Sequence, residues 1–93
     1  MQVKTQYGWC QIREATYSIG GRKALSLFDM EGRPVITLTV NIPEVQLEPG
    51  EFFVKTWSEN AEIAEDCLKS GLFVDTGKRW QTGFTLAQVW RLA

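Results

Sequence analysis

Apolar residues recur along this chain at two spacings, and the spacing divides it into elements. Ile36, Leu38, Val40 and Ile42 alternate with Val35, Thr37 and Thr39. A period of two in β-branched residues describes a half-buried strand. A second apolar run, Ala24 to Phe28, lies upstream across "DMEGRP". Its Glu31-Gly32 pair predicts an antiparallel hairpin. Further on, Trp80, Thr82, Phe84 and Leu86 alternate with Arg79, Gln81, Gly83 and Thr85, after a Thr76-Gly77-Lys78 turn. The tail to Leu92 and the segments Tyr7 to Tyr17 and Glu51 to Lys55 also read as strand, with Gly20-Gly21 and Pro49-Gly50 as turns.

One stretch changes period. At 100° per residue, Ala61, Ile63, Ala64, Cys67 and Leu68 share an arc, and Glu59, Glu62, Glu65, Asp66 and Lys69 share the opposite one. This predicts a single amphipathic helix over about 58–70. Thr56 and Glu59 have the capping-box spacing, Ser58 is an alternative N-cap, and Gly71 suits the C-terminal end. The expected fold is therefore α+β: an antiparallel sheet of five or six strands with that helix packed on one face.

Length and composition add bounds. The 93 residues suffice for one domain, 1–93, with one core. Two cysteines are too few for a disulfide framework, and reduced buried thiols are the plain expectation. Cys67 falls mid-arc on the apolar helix side and should be inert to thiol reagents. Histidine is absent, which removes the commonest general base and metal ligand. No catalytic, metal or cofactor signature is visible, so a non-enzyme is expected. No apolar run spans a bilayer and residues 1–20 lack a secretory pattern, so the expected location is cytoplasmic.

Charge is unevenly spread. Residues 44–66 carry a balance of −6 and the remainder +5, against a formal total of −1. Such asymmetry can steer a partner's approach. The plain account of the acidic helix face is solvation, since one side of a surface helix must be polar. The functional account makes Trp57, Glu59, Glu62, Glu65 and Asp66 a docking face for a basic protein surface. The four tryptophans divide differently: Trp80 and Trp90 lie in strand patterns that point to core, whereas Trp57 sits in a polar junction where burial and exposure compete. An alternative surface joins Lys78 and Arg79 beside Trp80 with Arg22 and Lys23 at the Gly-Gly turn, the basic and aromatic minimum for single-stranded nucleic acid. A pI near 5.4 speaks against a dedicated nucleic-acid binder.

The runs "GRKALSLFDMEGRPVITLTVNIPEVQL" and "GLFVDTGKRWQTGF", with a closing "VWRL", resemble an uncharacterised family of small proteins carried on plasmids, integrative elements and phages. The resemblance covers about residues 20–92 and includes no catalytic motif. The stretch "TWSENAE" at the helix start departs from the family pattern, and no functional residues carry over. The resemblance implies a mobile-element setting in a bacterial host. A host protein is then the expected partner, with inhibition or modulation of a host defence system as the expected role.

Overall fold

The computed structural model describes residues 1–93. Eight strands and one helix follow in the order β1 (Gln2–Thr5), β2 (Gly8–Thr16), β3 (Lys23–Asp29), β4 (Pro34–Thr37), β5 (Thr39–Val40), β6 (Phe52–Val54), α1 (Ala61–Lys69), β7 (Phe73–Thr82) and β8 (Thr85–Leu92). A single 3-10 turn, Ser58–Asn60, leads into α1. The α+β class and the single helix agree with the sequence pattern. The sheet does not: the strands form two antiparallel four-stranded sheets, ordered β1-β2-β3-β4 and β5-β6-β8-β7, in place of one sheet of five or six.

The division occurs inside what the alternation suggests is one strand. β4 pairs with β3, whereas β5 pairs with β6. Between them, Leu38 donates its N–H to Leu25 O and accepts from Lys55 N–H, both at 2.9 Å. One backbone unit thus bonds to the first sheet on one side and to the second on the other. Period two fails at this pivot, and Leu38 and Thr39 are buried in succession. Thr39 tolerates burial because its Oγ1 accepts from Leu25 N–H at 3.1 Å and bonds Tyr17 Oη at 2.9 Å.

The main core lies between the sheets. Val3, Cys10, Ile12, Leu25 and Leu27 come from the first sheet, and Phe52, Val54, Phe73 and Trp90 from the second. Phe73 stands 5.6 Å from Trp90 and 6.3 Å from Phe52 between ring centroids, contacts that each add about 0.5–1.5 kcal/mol to simple area burial. The helix packs against β1 and β7, the outer strands of the two sheets, so it bridges their edges instead of lying on one sheet face. Ile63, Ala64 and Cys67 point into the core, as the 100° arc predicts, with Leu68 half-buried beside them. Cys67 is fully buried, and desolvation pushes its thiol pKa to about 12. Cys10 is buried in the same core, and both thiols are free.

The helix begins without the expected cap. No side chain caps either the 3-10 turn or α1, so the Thr56/Glu59 capping box does not form. Trp57 is extended, and Ser58 takes a left-handed φ of 55° that turns the chain into the helix. Buried Asn60 secures the entry, its Nδ2 donating to Thr37 O at 2.9 Å.

The second sheet also has a covered outer face. Phe53, Ala87 and Val89 pack there with Ile42, beneath Val45, Leu47 and Trp57. This explains why Phe52, Phe53 and Val54 are all buried in a row. The covering loop, 41–51, is clamped at two points. Arg22 donates to Ile42 O at 2.9 Å and to Val45 O, its guanidinium 5.6 Å from the Phe53 ring centre. At the other end buried Glu51 accepts from Glu48 N–H at 2.9 Å and from Lys78 Nζ at 2.8 and 3.0 Å.

Candidate functional site

The five residues of the expected acidic face are not held as one surface. Trp57 is half-buried over the outer face of the second sheet, packed on the cluster of Ile42, Phe53, Ala87 and Val89. Glu59 is exposed and pairs with Lys55 at 3.5 Å, and Lys55 lies 5.9 Å from the Trp57 ring centre. Asp66 is half-buried on the flank facing β1, in a depression with Gln2, Lys4, Trp9 and Lys69. Only Glu62 and Glu65 stand together. The difference follows from helical geometry: Glu65 lies about 60° from Glu62 on the side of the second sheet and Asp66 about 40° from it on the other side, toward β1.

Glu62 and Glu65 rim a groove of about 380 Å³ between α1 and the second sheet. Its helix wall includes Ala61, Ala64 and Leu68, and its floor Gln88 and the edge of Trp90. Trp90 Nε1 donates to Gln88 Oε1 at 2.9 Å, which holds the amide of Gln88 in place. By strand alternation Leu86, two residues before Gln88, lies on the same sheet face and is exposed beyond the groove. The groove therefore offers apolar contact flanked by negative charge.

The carboxylates differ in how they are answered. Glu14, Asp29, Glu31, Glu51, Glu59 and Asp75 each form an ion pair within the chain. The Lys78 ammonium above all holds the Glu51 carboxyl below the usual range, and the Arg79 guanidinium does the same for Asp75. Glu44, Glu48, Glu62, Glu65 and Asp66 have no such partner, and of these Glu62 and Glu65 are the two exposed on the rim of the groove.

The residues of the nucleic-acid alternative are dispersed and engaged. Lys23 pairs with Glu14 at 3.3 Å, Lys78 with Glu51 and Arg79 with Asp75, while Arg22 clamps the 41–51 loop. Trp80, expected in the core, is instead 47% exposed, whereas Trp90 is fully buried as its pattern suggests. Trp80 lies opposite Ala87 on the outer face of the sheet, beside the 45–47 loop, and the alternating run is itself broken by a turn: Thr82 pairs with Thr85, and the chain reverses through Gly83 and Phe84. Gly83 has a φ of 61°, the left-handed entry that a two-residue hairpin turn needs and that glycine supplies. The expected Thr76-Gly77-Lys78 turn is a bulge within β7, where the register with β8 shifts between Asp75 and Arg79.

The largest depression, about 630 Å³, lies between Gly20–Lys23 and the 43–51 loop. It sets Arg22 and Lys23 near Glu44 and Glu48 but contains no hydroxyl, thiol or imidazole to act as a nucleophile. No group of three or more His, Cys, Asp or Glu is placed to hold a metal ion. No helix is long and apolar enough to cross a membrane. No family model, curated protein or solved structure matches this chain.

Proposed function

We propose that this chain is a non-enzymatic protein-binding domain that contacts its partner through the groove between α1 and β8. The observation that carries the reading is the joint position of Glu62 and Glu65. Neither carboxylate is paired within the chain, and both rim a groove whose walls include Ala61 and Leu68. A segment presenting Lys or Arg beside an apolar side chain matches that combination by charge and by contact. The mobile-element setting implied by the sequence resemblance makes a host protein the proposed partner, with modulation of a host system as the proposed role.

The test is affinity capture from host extracts with the wild-type domain and with Glu62→Lys/Glu65→Lys in parallel. A specific partner should be retained by the wild type and lost by the double reversal, and its association should slow as salt rises. The double variant should melt close to the wild type, because exposed charges contribute well under about 1 kcal/mol each. A partner held equally by both proteins, or no specific partner in any extract, would overturn the reading.

A further inference from the structure

We propose that the outer half of β7 is a self-association edge, through which two copies pair antiparallel about a twofold axis at Trp80. This inference stands apart from the groove. β7 is the terminal strand of its sheet, with β8 on one side and no strand on the other. Its first part is covered where Phe73 enters the core beside α1, but beyond the bulge the stretch Arg79–Thr82 has an open side. In a two-residue hairpin the closing pair, here Thr82 and Thr85, exchanges both backbone bonds. Antiparallel alternation then turns the backbone groups of Trp80 toward β8 and those of Arg79 and Gln81 outward. The edge thus presents two residues' worth of N–H and C=O groups in the spacing another strand requires.

Natural sheets usually guard such edges with bare charge. Here that guard is cancelled from within. Lys78 is neutralised by Glu51 at 2.8 Å and Arg79 by Asp75 at 2.8 Å. Large apolar side chains crowd the same end of the hairpin: Trp80 is 47% exposed, Leu86 54% and Phe84 fully exposed.

Register follows from side-chain chemistry. An axis at Trp80 sets the two tryptophans opposite each other at the non-hydrogen-bonded position, where side chains approach most closely. Arg79 then faces Gln81 of the second copy, and Lys78 faces Thr82. An axis at Arg79 would oppose two arginines, and one at Gln81 would set each Trp80 against a threonine. Only the Trp80 axis opposes aromatic with aromatic and no charge with its like.

The contact is short, so a weak and reversible dimer is expected, in the class of interfaces below about 1,200 Å². Sedimentation of the intact chain should show its mass rising from 10.6 kDa toward twice that as concentration increases from about 1 µM to about 1 mM. Residue 81 gives a test specific to the register. Gln81→Glu places a carboxylate opposite each Arg79, whose charge Asp75 already offsets in part, and should tighten the dimer by about threefold at low salt, whereas Gln81→Arg should weaken it by at least as much. Gln81 is exposed, so both variants should keep the wild-type circular dichroism and melting temperature. A chain that stays monomeric at the top concentration overturns the proposal. So does a dimer indifferent to Gln81→Arg, or one weakened by Gln81→Glu.

Discussion

The two ends of the β7–β8 hairpin are built from the same two strands and rich in the same aromatic residues, yet they meet opposite fates. At the base, Phe73 and Trp90 are enclosed between the sheets and against α1. At the tip, Trp80, Phe84 and Leu86 face solvent. Strand register sets the two tryptophans on opposite faces of the sheet, Trp80 opposite Ala87 on the outer face and Trp90 on the inner face with Phe73. The difference lies in what covers each face: at the base the inner face has the other sheet and a helix above it, while Trp80 on the outer face has the edge of the 45–47 loop beside it and stays half-exposed. Burial in a strand belongs to the layer laid over it, and strand period says only which residues share a face.

Truncating each tryptophan should separate the two ends by the largest margin. Trp90→Ala should cost about 3–5 kcal/mol in chemical denaturation, because it opens a cavity against Phe73 that the surrounding sheets cannot fully close. Trp80→Ala should cost less than about 1 kcal/mol while leaving the fold intact. Similar losses at the two sites would mean that the tip is covered after all.

The boundary between the two ends is the bulge, where Lys78 reaches Glu51. Removing that charge with Glu51→Gln should cost about 1 kcal/mol, since Lys78 is itself half-exposed and screened by water. The same pair sets a pH dependence. Glu51 and Asp75 have folded pKa values below their ordinary ones, through Lys78 and Arg79 respectively. Their stabilisation is therefore present above the ordinary carboxylate values, 4.5 and 3.8, and is lost as pH falls below them. A melting temperature that falls from pH 5 toward pH 3, and falls less in Glu51→Gln, is the expected result. A variant with the wild-type acid profile would show that the clamp contributes nothing.

The smallest effect is expected at the turn itself. Phe84→Ser should change stability by less than about 0.5 kcal/mol, because the ring is fully exposed and the turn depends on Gly83. A larger loss would show that Phe84 packs onto the body of the fold in solution.

What could be read from the residues alone was whatever depends on neighbours close in the chain. The phase of α1 is one case: a turn of helix joins residues three and four apart, so the placement of Ile63, Ala64 and Cys67 inward and Glu62 and Glu65 outward is local. The hairpin between β3 and β4 is another, since Gly32 supplies the left-handed φ of 84° and Asp29 accepts from Glu31 and Arg33 N–H within the same turn. The candidate site was legible only in part for the same reason. The sequence shows an acidic helix face, but it required the path of β8 to place Gln88 and Trp90 under Glu62 and Glu65, and the 41–51 loop and β6 to draw Trp57 away. Tertiary structure alone decided that the run from Val35 to Val40 serves two sheets. That depends on Leu25 and Lys55 arriving on opposite sides of Leu38, and hydrogen-bond partners so distant in the chain leave no trace in a period of two.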